Sequence, residues 1–370
     1  MKIGRFVVDA HIHGSTLYRP AGKTTEGDTT IKKMWSEVEP YDNSEAIIYD
    51  MDAYGINMGI LKPSFAGTLN EMQAAIVDKY PDRFRALCSD QTQRLKCARG
   101  QAKWNIDTAC EEIEAALGWG KGRFVGIGEF APGGMGVVRK TPTFDQRLQE
   151  FRQVAKLASK HDLSIEFHEY DGYEWGGGPG AGYGIVSALA KEFPEVRVVI
   201  EHGGGQYPED IRLACSIAAF AENVYLETGY WRAEFYEIAL KDPNIGATKL
   251  IWGGGDNGSS IWSHFPTQPG AKYRNPTGNY LQKKWPIPMP YQPDWMGFPT
   301  HQIHRLKDLD LATQDEINLI VGGNAAKVYK LPVPMVRMFA CGRPDLSGIY
   351  WEKTIPWVPD HQVQKPKKKK

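Results

Sequence analysis

Eight short runs rich in β-branched and aromatic residues recur along this chain, near residues 5–11, 57–62, 83–88, 124–129, 163–168, 196–201, 223–228 and 249–253, each bounded by turn residues. Between them lie segments whose apolar residues return every three or four positions. Asp145–His161, Tyr183–Phe193 and Glu209–Ala221 are examples, and Thr313–Tyr329 closes the series. Strands that alternate with helices become parallel neighbours joined by crossovers. Eight such units predict an α/β protein, a (β/α)8 TIM barrel with long βα loops over residues 1–331. Residues 332–370 are then a C-terminal extension with a basic tail. The 370-residue length suits one large barrel or two smaller domains. No internal repeat beyond the βα unit is visible, and no linker divides the chain, which favours the single barrel.

The ends of these strands are polar in a repeated way. Phe6-Val7-Val8-Asp9-Ala10-His11-Ile12-His13-Gly14 closes on two histidines one residue apart. Side chains alternate faces along a strand, so His11 and His13 point the same way and can grip one metal ion together. The fifth run stops at His168, the sixth at Glu201-His202 before three glycines, and the eighth leads through Trp252-Gly253-Gly254-Gly255 to Asp256. Any one of these histidines has a plainer reading as a buried ring bonded to a backbone carbonyl. Four strand ends sharing one pattern are harder to assign to packing. Barrel enzymes carry their chemistry at the carboxy-terminal ends of the strands, where all these residues fall.

Composition narrows the partners. Lysine plus arginine and aspartate plus glutamate each number 44, so no net basic field favours nucleic acid, and a small-molecule substrate is expected. Cys88, Cys97, Cys110, Cys215 and Cys341 form no CxxC pair and are an odd number, which reads as reduced thiols. No apolar stretch approaches the ~20 residues that span a bilayer. The amino terminus lacks the pattern of a secretory signal, so a cytoplasmic protein without a membrane partner is expected. The lysine run ending at Lys370 reads as a solvated tail. The glycine clusters 203–205 and 253–255 lack the strand and acidic partner of a dinucleotide fingerprint, and read as close-approach backbone beside a metal pocket.

Long segments follow several strands: 14–42 after the first, 170–183 after the fifth and 257–312 after the eighth, the last expected to be a long specificity loop. Tyr170, Trp175, Tyr183, Trp231 and Trp262 are candidates for an aromatic wall, with His264 close by in sequence. Arg139, Arg232, Arg274 and Arg305 are candidates for a substrate clamp, although solvated surface arginine is the plainer reading of each. Glu166 and Glu227 should face the barrel interior. Lys62 is either their ion-pair partner or a substrate contact. Because long barrel extensions often build subunit contacts, a homo-oligomer, first of all a dimer, is expected.

The Val-Asp-Ala-His-Ile-His opening, the histidines ending strands five and six, the aspartate after strand eight and Gly323-Asn324-Ala325-Ala326-Lys327 resemble, in order and spacing, the amidohydrolase superfamily. The chain looks most like its amidohydrolase-2 group, with aminocarboxymuconate semialdehyde decarboxylase, aromatic acid decarboxylases, hydratases and lactone hydrolases. The resemblance covers about residues 5–331. It implies that His11, His13, His168 and Asp256 hold a divalent ion, with His202 as the catalytic or an additional metal-binding histidine and Asp256 as a second proton-transfer group. Zinc is expected over manganese because imidazole is the majority ligand.

Two departures matter. Three glycines precede Asp256 where relatives often carry a serine, and no aromatic-proline pair follows it. Glu129 ends strand four, where two-metal relatives place a carboxylate that bridges the ions. Glu129, and with it Glu166, therefore stands either in a second metal site or just outside the ligands. The resemblance implies first a metal-dependent decarboxylase of a small aromatic or unsaturated acid. A hydrolase of an ester, lactone or amide, or a hydratase, is the alternative, and a non-catalytic binding barrel is the remote one.

Overall fold

The computed structural model describes residues 6–14, 16–18, 39–42, 44–63, 68–98, 100–130, 143–168, 181–205, 208–254, 297–332, 335–339 and 350–356. Eight parallel strands follow one another around a single sheet. They are β1 (Val8–Ile12), β2 (Met58–Leu61), β3 (Phe84–Cys88), β4 (Phe124–Phe130), β5 (Ser164–His168), β6 (Arg197–Glu201), β7 (Val224–Glu227) and β8 (Leu250–Ile251). The sheet returns on itself where the Ala10 amide donates to Trp252 O at 3.1 Å. The Gly254 amide donates to Asp9 Oδ1 at 2.8 Å beside it. This is the (β/α)8 barrel that the alternation of strands and helices predicts.

Two apolar layers hold it. One lies between strands and helices, with Ile12, Phe84, Phe130, Phe151, Ile165, Phe167, Ile200 and Leu226 all buried. The other fills the barrel below its mouth with Phe6, Val8, Ala10, Met58, Ile60, Leu87, Val199, Tyr225 and Ile251, and is closed by Tyr329 and Leu331. Full burial of each large aliphatic or aromatic side chain contributes about 1.5–3 kcal/mol, so these layers dominate the stabilisation.

The helices start where local chemistry allows. Thr143 caps Phe144–His161 in a reciprocal box with Gln146, and Leu148, Phe151, Val154, Ala155 and Ala158 give that helix its buried stripe. It ends at Asp162 in a left-handed conformation (φ 54°), and that carboxylate meets Arg197 and Lys330.

The helix expected over Thr313–Tyr329 is built in three parts: Gln314–Asn318, a wider π turn at Leu319–Gly323, and Asn324–Val328. Barrel closure accounts for the interruption. Ile320 O accepts the Trp252 amide at 2.9 Å. Asn324 Nδ2 donates to Ala247 O and Leu250 O, both at 2.7 Å. Gly322 lies so close to Phe6 O that any Cβ there would overlap it. Gly322→Ala should therefore cost about 1–3 kcal/mol of stability, the range for forced overpacking, measured by chemical denaturation. An unchanged midpoint would show that this turn does not clasp the barrel.

Two segments read as loops, and the C-terminal extension, carry ordered structure. Thr16–Tyr18 pairs antiparallel with Glu39–Tyr41. In the extension, Met335–Phe339 pairs antiparallel with Tyr350–Pro356. The supposed loop over 257–312 ends in the helix Gly297–Asp308, with Ile303 and Leu306 buried, and Gln302 Oε1 accepts the Ala233 amide at 2.9 Å. Its periodicity is short, and Pro299 in the first turn, where proline is tolerated, masks it in the sequence. Among the described residues no helix is long and apolar enough to cross a membrane.

Candidate metal centre

At the carboxy-terminal ends of the strands the barrel brings His11, His13, Glu129, His168 and His202 together. His11 Nε2 and His13 Nε2 lie 3.3 Å apart. His11 and His202 stack with ring centroids 4.7 Å apart, and His168 meets His202 edge-on at 5.0 Å. Ligand atoms of His11, His13 and Glu129 lie within 4.8 Å of one another, and so do those of His11, Glu201 and His202. Glu129 Oε1 is 3.4 Å from His168 Nε2.

The ring orientations are fixed from behind. His11 Nδ1 lies 2.8 Å from Glu227 Oε2, and His13 Nδ1 lies 3.2 Å from Lys62 O. A carboxylate and a carbonyl accept, so these contacts favour a proton on Nδ1 of both neutral rings, the tautomer in which the Nε2 lone pairs face each other. Two lone pairs facing at 3.3 Å repel unless a cation lies between them. Imidazoles bound tetrahedrally at ~2.05 Å would set their nitrogens about 3.3 Å apart. Donation of the second ring nitrogen to a carboxylate or carbonyl is also the usual support of a histidine ligand. The residues present therefore fit a divalent metal.

The surrounding charge points the same way. Asp9, Glu129, Glu166, Glu201 and Glu227 are buried around the strand ends, with Lys62 the buried lysine beside them among the described residues. Lys62 Nζ lies 2.7 Å from Glu166 Oε2 and 3.1 Å from Glu201 Oε1. Burial works against its charge, but the Coulomb attraction of Glu166 and Glu201 outweighs it and holds the ammonium well above its ordinary pKa. Burial, reinforced by neighbouring Glu129, pushes the Glu201 carboxyl well above the usual carboxylate range despite Lys62. Such an excess of buried acid calls for added positive charge.

Other candidates have partners of their own or lie outside the described residues. Lys62, offered as a substrate contact, has a fully buried side chain engaged in ion pairs, and Glu166 pairs with it. Trp231 forms the wall behind His202: its Nε1 donates to His202 O at 2.9 Å, and its ring lies where a Cβ on Gly203 would be. Arg232 is exposed and precedes the helix Ala233–Lys241. Arg305 pairs with Glu234 at 3.3 Å, and Tyr183 is buried with its hydroxyl donating to Asp210 O at 3.3 Å. Asp256, Arg139, Tyr170, Trp175, Trp262, His264 and Arg274 lie outside the described residues.

Glu201, Tyr230 and Asp9 escape strand-pattern reasoning. Glu201 and His202 are consecutive, so alternation would send them to opposite faces. The strand ends at Glu201, however, and His202 turns at φ 55°, which brings both inward. Tyr230 packs its ring 4.6 Å from that of His202. Asp9 Oδ1 accepts the His11 amide at 3.0 Å. The glycines, read as close-approach backbone, are that: a Cβ on Gly204 would stand 2.5 Å from Asp210 O, and one on Gly253 would overlap Glu227 Oε1.

No curated protein matches the sequence. Among solved structures, an amidohydrolase from Burkholderia multivorans with bound zinc is 12% identical, with 88% of this chain and 100% of that one covered and a TM-score of 0.54. A 4-oxalomesaconate hydratase from Rhodopseudomonas palustris is 15% identical, covering 88% and 96%, with a TM-score of 0.51. A 2,6-dihydroxybenzoate decarboxylase bound to 2,6-dihydroxybenzoate is 17% identical, covering 89% and 99%, with a TM-score of 0.48. At these identities the likeness is one of fold. The Amidohydro_2 family model, described as amidohydrolase, matches residues 8–331, and the chain belongs to that family of enzymes.

Proposed function

We propose that the protein is a metal-dependent hydrolase of a small ester, lactone or amide. The observation that carries this reading is the pair of Nε2 lone pairs of His11 and His13, set 3.3 Å apart with Glu129 beside them. His11, His13 and Glu129, with His168 next to Glu129, would hold the ion, and Asp256 would join them from the segment after β8. Zinc suits this donor set better than manganese because imidazole predominates. When bound, a divalent cation supplies Lewis acidity to a substrate oxygen and lowers the pKa of water.

The chain's own residues supply the rest. The Glu129 carboxylate, 3.4 Å from His168 Nε2, is placed to take a proton from an attacking water. His202, held between the His11 and Tyr230 rings, is placed to stabilise negative charge on the carbonyl oxygen or to protonate the leaving group. Glu129 sets hydrolysis ahead of the decarboxylation that the resemblance put first. Attack of water on a neutral ester, lactone or amide needs a base beside the ion, which the Glu129 carboxylate next to His11 and His13 supplies, whereas loss of carbon dioxide needs none.

A library of lactones, esters, amides and unsaturated or aromatic acids, assayed with zinc-loaded protein for acid release and for carbon dioxide, tests this reading. Acid release is expected. Carbon dioxide from an acid, with no acid from the neutral substrates, would return the protein to the lyases. His202→Asn should stay folded and lose at least ~100-fold in turnover, the lower end for a positioned acid or base. Near-parental turnover would make His202 a packing residue.

A further inference from the structure

Glu227 ends β7, a strand that the sequence marks with no histidine, and its carboxylate ties together two other strand ends. Its Oε2 lies 2.8 Å from His11 Nδ1, accepts from the His202 amide at 3.0 Å, and lies 3.6 Å from His202 Nδ1. The side chain is fully buried. The room for it is made by glycine. A Cβ on Gly229 would stand 3.0 Å from Glu227 Oε1, and one on Gly253 would overlap that oxygen while also approaching His11 Cβ at 3.0 Å. Gly253 begins the Gly-Gly-Gly run before Asp256, so the cradle accounts for the first glycine of that run.

We propose that Glu227, seated against Gly229 and Gly253, is a positioning residue that holds His11 in its ligating tautomer, fixes the turn carrying His202, and so sets the affinity of the site for a divalent cation. The inference rests on the metal reading above. One carboxylate serves both histidines because the left-handed turn at His202 brings its amide inward, to the same oxygen that faces His11. The Glu227 carboxylate raises the basicity of the His11 ring, and the contact of Nδ1 with Oε2 opposes a flip of that ring while the His202 amide anchors the same oxygen. Partners of this kind are worth about 10–100-fold in metal affinity.

The test is a zinc titration of chelator-stripped protein against a competing chromophoric chelator, with circular dichroism and thermal unfolding of the apoprotein run alongside. Glu227→Gln keeps the shape, loses the charge and should weaken zinc binding by about 10–100-fold. Gly253→Ala keeps the carboxylate but displaces it, and should weaken binding at least as much. A loss in the folded variants with little change in apoprotein unfolding supports the proposal. Zinc affinity within twofold of the parent in either folded variant overturns it while leaving the metal reading intact. A parent chain that binds no divalent cation overturns both.

Nitrogen-15 spectra of histidine-labelled parent apoprotein give a readout free of folding effects. His11 should carry its proton on Nδ1. A proton on Nε2 instead, with Nδ1 bare, overturns the proposal whatever the variants do.

Discussion

Replacing His11 and His13 together by alanine should leave a folded barrel that no longer retains a divalent cation. Parent protein loaded with zinc and passed through a desalting column should keep it, and the double variant should emerge with less than ~0.1 equivalent, measured by atomic emission. The expected loss exceeds the ~10–100-fold that removal of a supporting group causes, because two direct donors are lost at once. Folding should survive. Both rings lie above the apolar layer that fills the barrel, and their removal relieves the repulsion between facing lone pairs. Full zinc retention by the folded double variant would sink the assignment of the centre. Retention of a single weak equivalent would instead point to the second trio of His11, Glu201 and His202, with its remaining Glu201 and His202.

Much of this centre is legible in the sequence because it depends on two simple periods. Alternation along β1 places His11 and His13 on one face, and barrel topology places His168 and His202 on the same rim. Glu129 is legible as a strand-end carboxylate, but not its position, since two residues of β4 beyond Ile127 must pass a register shift against β5 before Phe130 meets Phe167. Glu227 reads only as an interior-facing acid, and Glu201 only as part of a strand end. Their different fates, one on His11 and the other on Lys62, follow from which strand lies opposite, and that depends on the packing of the whole barrel.

The interrupted last helix shows the same limit. Residues Thr313–Tyr329 have helical periodicity throughout, yet the backbone widens at Leu319–Gly323 because Ile320 O serves Trp252 and Gly322 meets Phe6. No local pattern encodes a carbonyl claimed by Trp252, the residue just past β8. The helix Gly297–Asp308 was hidden for the opposite reason, since its buried stripe is too short to declare itself and is fixed by contact with the helix Ala233–Lys241.

Lys62→Met should be the most destabilising single change at the barrel mouth. Lys62 has no solvent exposure, and its ammonium lies 2.7 Å from Glu166 Oε2 and 3.1 Å from Glu201 Oε1. Methionine fills much of the same volume but leaves two buried carboxyls facing each other without a cation. Breaking a buried pair in this way costs about 3–5 kcal/mol, a large part of the 5–15 kcal/mol that holds a typical domain together. The midpoint of thermal unfolding should fall by about 4–6 °C, given an unfolding entropy of ~2.1 cal/mol/K per residue.

The pH dependence follows from the sign of the lysine shift. Because the folded pKa is raised, the contribution of Lys62 is complete below the ~10.4 of an unfolded lysine and is lost only as pH rises from there through the folded value. The difference in stability between parent and variant should therefore be undiminished at pH 9. Adding Glu166→Gln and Glu201→Gln to Lys62→Met should recover most of the loss, because neither carboxyl partner of the ammonium is then left as an unpaired ion. A Lys62→Met protein as stable as its parent, or a triple variant no better than the single one, would show that the carboxyls are held by other groups. The His13 ring should keep its orientation in either variant, since its partner is the Lys62 backbone carbonyl. Zinc affinity separates the two layers of the mouth: loss of the ammonium should change stability far more than it changes metal binding.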